Sequence, residues 1–153
     1  MRRERFLCPV RVQCGVPTHV LVPFDGSPQS ESALTFAASE WPEATLSLLY
    51  VIDPITAGFG QRALPGSSEA WYERARETAR DHFDAARELT GRPLDTRIEV
   101  GSPAPVIVDV VAEGRFDHVV LGNHGRDGIS RVLLGSVAEA VVRRSPVPVT
   151  VVR

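Results

Sequence analysis

From residue 18 onward, short apolar runs alternate with longer segments whose apolar positions recur every three or four residues. Thr18-His-Val-Leu-Val-Pro23 reads as a strand ending at Phe24-Asp25-Gly26. Ser27 then supplies an N-cap oxygen, and Pro28 a preset φ for the first helical residue. Ala33, Leu34, Ala37, Ala38 and Trp41 share one face of the helix that follows, and Pro42 stops it. A second strand, Thr45–Ile52, comes at once. Residues 53–66 are a Gly- and Pro-rich connection, of a length that in a compact domain is functional or disordered. Tyr72, Ala75, Ala79, Phe83, Ala86 and Leu89 then mark the apolar face of a long helix closed by Gly91 and Pro93. Its other face, with Glu73–Arg76, Glu77–Arg80 and Asp84–Arg87, reads as solvated. Leu94–Val100 alternates as a half-exposed edge strand does. Ser102-Pro103 opens a helix with Val106, Ile107, Val110 and Val111 inward and Gly114 at its close. His118–Leu121 is a fourth strand, Ser136 to Arg144 a last helix stopped by Ser145-Pro146, and Val147–Val152 a fifth strand.

Strand and helix in strict alternation predict an α/β fold: one open, five-stranded parallel sheet, Rossmann-like, with helices on both faces. Ligands of such sheets bind beyond the carboxyl ends of the strands, where the strand order reverses. Asp25 and Gly122 both follow strands at that edge. In the order 3-2-1-4-5 the first and fourth strands are neighbours, and the two loops face each other across a crevice.

The length, 153 residues, suits one domain with a core that needs neither disulfide nor metal. Cys8 and Cys14 match no zinc spacing and read as unpaired thiols in a reducing compartment. All seventeen basic residues are arginine, and without lysine a Walker-type phosphate loop is excluded. Residues 1–17 carry net charge +3 and the remainder −5, which does not suggest a nucleic-acid partner. No apolar run approaches the ~20 residues that span a bilayer, so no membrane association is expected. The arginine-rich start makes a poor signal peptide, and the expected location is cytoplasmic. Residues 1–16 read as a disordered extension, ahead of a domain over 17–153.

Candidate chemistry concentrates in Gly122-Asn-His-Gly125-Arg126 followed by Gly135-Ser136, that is, Gly-x2-Gly-x9-Gly-Ser. Glycines after a strand let the backbone approach a bulky anion, because no Cβ stands in the way. A Gly-Ser step opening a helix presents free N–H groups and the positive dipole end to phosphate. This spacing, Val-Pro-Phe-Asp-Gly-Ser at 22–27, Tyr-Val-Ile-Asp at 50–53 and the tail from Leu133 to Val149 resemble the universal stress proteins over residues 18–153. The family splits into members that bind ATP and members that lack the glycines. The glycines here imply the ATP-binding branch, an adenine nucleotide α-hydrolase-like fold, and ATP with or without Mg²⁺ as ligand. By that resemblance Asp25 meets the ribose or adenine, over a floor shaped by Pro23 and Phe24, and Val51 pairs with adenine through its backbone. Gly122, Asn123, His124, Gly125 and Arg126 run along the ribose and phosphates. Ser136 with Val137 holds the terminal phosphates, and Gly135 before them belongs to the same cofactor site.

Several of these residues have a plainer reading. Asp25-Gly26 is a common turn pair. Ser136 with Glu139 spells a capping box, so its hydroxyl can serve its own helix. Arg126 and Arg131 can pair with phosphate or lie in solvent, and His124 can contribute backbone alone. Asp53 and Asp127 are the candidates for a base or a Mg²⁺ ligand, but no motif compels either. The expected protein is therefore a nucleotide-dependent switch or sensor with slow turnover at most and no assigned catalytic residue. A slow ATP hydrolase or phosphotransferase, and an interaction module with an empty glycine loop, are the alternatives. The family resemblance also implies a homodimer through the strand at 147–152; the plainer reading is an edge blunted by Pro148.

Overall fold

A computed structural model describes residues 15–56, 67–123 and 134–153. The expected tail up to residue 14, the 57–66 part of the long connection and residues 124–133 of the glycine motif lie outside the described residues. The element order is β1 (His19–Pro23), α1 (Pro28–Glu40), β2 (Thr45–Ile52), α2 (Ser67–Thr90), β3 (Asp95–Val100), α3 (Pro103–Ala112), β4 (His118–Gly122), α4 (Ser136–Arg144) and β5 (Val149–Val152). The five strands form one sheet in the order β3-β2-β1-β4-β5, with every neighbouring pair parallel. This is the α/β architecture expected from the alternation.

The pleat sorts the core into two clusters. Val20, Val22, Leu46, Leu48, Tyr50 and Ile52 point to the face covered by α1 and α2, through Ala33, Leu34, Ala37, Ala79, Phe83 and Ala86. Leu21, Leu49, Val119 and Leu121 point to the other face, against Ile107, Val110 and Val111 of α3 and Ala138 and Val141 of α4. Strands buried on both sides are apolar at successive positions, which is why β1, β2 and β4 read as runs and not as alternations.

Helix α1 starts as its sequence dictates. Ser27 is the N-cap, its hydroxyl accepting from the Ser30 N–H at 3.2 Å, with Pro28 behind it. Its carboxyl end is held from another element: the Arg92 guanidinium donates to the carbonyls of Ala38 (3.5 Å), Trp41 (3.4 Å) and Ala44 (2.5 Å). At the amino edge, the Asp117 carboxylate accepts from the Thr18 N–H and hydroxyl (2.9 and 2.8 Å) and the His19 N–H (3.2 Å), stitching β1 to β4. Partial burial pushes the Asp117 carboxyl up, but these donors outweigh it and hold it below its ordinary value.

Three expectations need correction. Leu89 is 51% exposed, because two three-residue steps on from the buried Phe83 turn it about 120° away from the face that Phe83 anchors. The capping box at Ser136 does not form. Gly135 is the N-cap, so Ser136 is already the first helical residue, and the helix has no side-chain cap bond. The last strand begins at Val149 and not Val147; Pro148 still joins the ladder by accepting from the Val119 N–H at 3.0 Å.

Candidate functional site

All strands run the same way, so Asp25, Asp53, Gly101 and Asn123 collect at one edge of the sheet. The crossover through α1 leads from β1 to β2 on one side, while α4 leads from β4 to β5 on the other. The strand order therefore reverses between β1 and β4, and a crevice opens beyond their carboxyl ends.

On the β1 side, Pro23 is the last residue of the strand and half-buried. Phe24 is buried in the core beneath α1 and α2, and its N–H donates to the Leu49 carbonyl at 2.9 Å. Asp25 is half-buried, and its Oδ1 accepts from the Ser27 N–H at 3.0 Å, an Asx turn that leads into the α1 cap. Gly26 holds φ at +74°, a conformation that L side chains rarely adopt.

Val51 is placed by ladder parity. Leu49 turns its carbonyl to β1, and Ile52 turns its own to Gly101 beyond β3 (3.0 Å). Backbone groups alternate in direction along a strand. The N–H and C=O of Val51 therefore face the β1 side, past Pro23↔Leu49, the last pair of the β1–β2 register. They point into the crevice.

On the β4 side, Gly122 pairs with Val152, and a Cβ on it would stand 2.7 Å from the backbone carbonyl of Gln29 in α1. The close approach that needs a glycine here is that of α1 itself. Asn123 is buried; its N–H donates to Val152 O at 2.8 Å, and its carbonyl accepts from the Gly135 N–H at 2.9 Å. That second bond closes the eleven-residue excursion between them at its base, fixing the start of α4 onto the end of β4. Gly135 is extended (φ −62°, ψ 153°) and brings no side-chain acceptor to its helix. The first N–H groups of α4, from Ser136 onward, precede the bond from the Glu139 N–H to Gly135 O. They are oriented along the axis as an anion site requires. Ser136 is exposed, whereas the Val137 side chain packs into the core beneath α3 and α4. Val137 can thus offer its N–H but not its side chain. Of the twelve sequence-predicted site residues, His124, Gly125 and Arg126 lie outside the described residues, as do Asp127 and Arg131.

Asp53 spends its carboxylate locally. Its Oδ1 accepts from the Ile55 N–H and its Oδ2 from the Thr56 hydroxyl, both at 2.9 Å. The Ile55 bond, then the Thr56 bond, hold its carboxyl below the ordinary value. A carboxylate stabilised as the anion by its own turn is a poor general base. Among the described residues, no group of three His, Cys, Asp or Glu could hold a metal ion. Nor is any described helix long and apolar enough to cross a membrane.

Sequence reasoning passed over His82, in the long α2 helix. Its imidazole stacks on Tyr50 and lies over Gly26. The signal was its place beside Ala79, Phe83 and Ala86 at the margin of the apolar stripe, where a polar ring borders the core.

A doubly wound parallel sheet with a crevice at its switch point, and a helix N-terminus seated on that crevice, define a class of small-ligand-binding α/β domain. Within that class the match is to one family: the sequence profile of the Universal stress protein family fits residues 17–153. The chain belongs to the universal stress protein family. A universal stress protein of Methanocaldococcus jannaschii is 31% identical over 140 residues, covering 88% of this chain and 81% of the relative. A longer relative from Mycobacterium tuberculosis is also 31% identical, and the match covers 47% of its length. Among solved structures, the universal stress protein UspA from Lactobacillus plantarum aligns with a TM-score of 0.70 at 30% identity, over 89% of this chain and 97% of its own. A universal stress protein in complex with cAMP aligns with a TM-score of 0.61 at 28% identity, over 91% and 99%.

Proposed function

We propose that this chain is an adenine-nucleotide-binding stress protein, with ATP as its ligand, acting as a nucleotide-dependent switch or sensor. The observation that carries the reading is the bond from the Gly135 N–H to Asn123 O, which seats the α4 N-terminus on the crevice between β1 and β4. That places phosphate-compatible N–H donors at one end of the crevice, while the Val51 backbone faces it from β2. The ligand of the cAMP-bound relative has the same base and sugar chemistry.

In this reading the backbone of Val51 pairs with the adenine edge, and Asp25 accepts from the ribose hydroxyls. Pro23 and Phe24 support the floor. Gly122, Asn123, His124, Gly125 and Arg126 line the path of the ribose and phosphates. Gly135 leaves room for the terminal phosphates, which the N–H groups of Ser136 and Val137 and the Ser136 hydroxyl hold. A Mg²⁺ ion, if it accompanies the nucleotide, is held by phosphate oxygens and water, as is common for this ion. The reading takes binding as the main role, with slow turnover at most. The protein is proposed to be cytoplasmic and homodimeric through β5, with no nucleic-acid or membrane partner and with residues 1–16 as an extension outside the binding domain.

Mass spectrometry of small molecules released by denaturing freshly purified protein tests the reading. ATP or ADP near one per chain is the expected result. A chain that releases no nucleotide and ignores added ATP would be an interaction module. Rapid ATP hydrolysis with Mg²⁺, lost in Asp127→Ala while binding persists, would make it an enzyme.

A further inference from the structure

His82 is half-buried on α2, beside Phe83 at the margin of the helix's apolar stripe. Its imidazole stacks on the buried Tyr50 ring, with centroids 5.7 Å apart and planes 22° from parallel. Tyr50 is braced from its edge by Phe83, at 6.4 Å and 88°. The same imidazole fills the space above Gly26: a Cβ there would stand 2.2 Å from its Cε1 and Nδ1 atoms. One side chain of α2 therefore touches the residue after Asp25 and the residue before Val51. The direct ladder between β1 and β2 runs to Pro23 opposite Leu49 and closes with the Phe24 N–H to Leu49 O bond. Past that point, the His82 ring joins the Asp25–Gly26 turn to the end of β2.

We propose that His82 is a positioning residue for nucleotide selection. It clamps the Gly26 turn against Tyr50, so that the Asp25 carboxylate and the Val51 backbone keep one fixed separation. The clamp has work to do because Gly26 is the most permissive residue type, held at a positive φ. The Asp25 to Ser27 bond ties the carboxylate to its own turn, whereas the ring ties the turn to the strand that faces the base. The inference rests on the nucleotide reading above, with Asp25 at the ribose and Val51 at the adenine.

The test compares ATP with 2′-deoxy-ATP in calorimetric titrations of the full chain. For wild type, ATP is expected to bind more tightly than its 2′-deoxy analogue. In His82→Ala, ATP affinity is expected to fall about tenfold and the ATP preference to shrink toward that of Asp25→Ala, because a loosened carboxylate no longer meets the hydroxyl. His82→Phe, which keeps a flat ring on Tyr50, is expected to restore most of the preference. It also serves as the folded comparison should His82→Ala lose structure. If wild type binds ATP and His82→Ala keeps both its affinity and its preference, the clamp is refuted while the nucleotide reading stands. An equal loss for both nucleotides refutes it too, since a role in stability alone lowers affinity without changing the ratio. If wild type binds neither nucleotide, the functional reading fails and takes the clamp with it.

Discussion

Gly122 carries a packing demand besides the ligand role proposed for it. Its place after an apolar strand suggested a backbone cleared for a ligand, and the structure adds a second demand, since a Cβ there meets the Gln29 backbone at 2.7 Å. Backbone in the first turn of a helix packed on the sheet cannot swing aside as a side-chain tip can. Gly122→Ala is therefore expected to destabilise the fold by about 1–3 kcal/mol, as overpacking does, read as a lowered melting temperature of the ligand-free protein. Unchanged stability with lost nucleotide affinity would return the glycine to the ligand alone. The Ser136–Glu139 pair failed as a capping box for a comparably local reason: the helix begins one residue earlier than the pattern assumes, with Gly135 as its cap. No spacing rule tells a Ser at the cap from a Ser at the first helical position when glycine precedes it.

His118 makes a second prediction at this scale. It is half-buried, its ring 4.8 Å from that of Trp41, and its Nε2 is 2.8 Å from the Thr150 hydroxyl. Burial lowers its pKa below the ordinary histidine value, partly offset by the Asp117 carboxylate. The folded state thus binds the proton less well than the unfolded chain, whose histidine titrates near ~6.5. The associated stability is present above that value and is lost as pH falls through it toward the lower folded pKa. Melting temperatures measured between pH 7 and 5 should fall more steeply for wild type than for His118→Gln. Parallel curves would show that the ring does not contribute.

At the scale of elements, local signals identified where the helices start and stop, but not every contact that holds those ends. Gly91, Gly114 and Ser145 close α2, α3 and α4 as expected. Ser27-Pro28 announced α1, and Ser102-Pro103 announced α3, because cap chemistry is written in adjacent residues. The carboxyl end of α1 depends instead on Arg92, about fifty residues later, whose guanidinium gathers three carbonyls around the turn into β2. No periodicity could reveal that. Arg92→Met keeps the aliphatic stem and removes the donors. It is expected to cost about 1.5–3 kcal/mol, the range for hydrogen bonds from a charged group, measured by urea unfolding with an unchanged m-value. A loss below ~0.5 kcal/mol would mean that water replaces the guanidinium without penalty. Similarly, Leu89 continues the stripe in sequence but is not in the core, because successive three-residue steps drift off the buried face.

For the whole molecule, the sheet order was legible because five apolar strands separated by helices leave few right-handed arrangements. The candidate site could be named from the sequence as a list of residues, but not as geometry. The parity that turns the Val51 backbone into the crevice follows from the register, and His82 arrives from an element whose periodic face concealed it. Assembly belongs to this scale as well. Val152 accepts from Asn123, so the β5 residues of even number bond to β4, and the Val151 N–H faces outward along the edge. Val151→Pro would remove that outward donor while sparing the β4 ladder. If the proposed β5 dimer exists, sedimentation should give a dimer for wild type and a monomer for the variant. A monomer for both would leave β5 as an ordinary blunted edge.

The central claim is that the crevice between β1 and β4 takes ATP with its phosphates on the α4 N-terminus. Calorimetric titration of ATP into the emptied protein, alongside Gly125→Val, tests it most directly. Saturable binding near one nucleotide per chain, lost in the variant while its melting temperature is kept, is the predicted result. Heats no larger than dilution for wild type, or equal affinity in Gly125→Val, would contradict it.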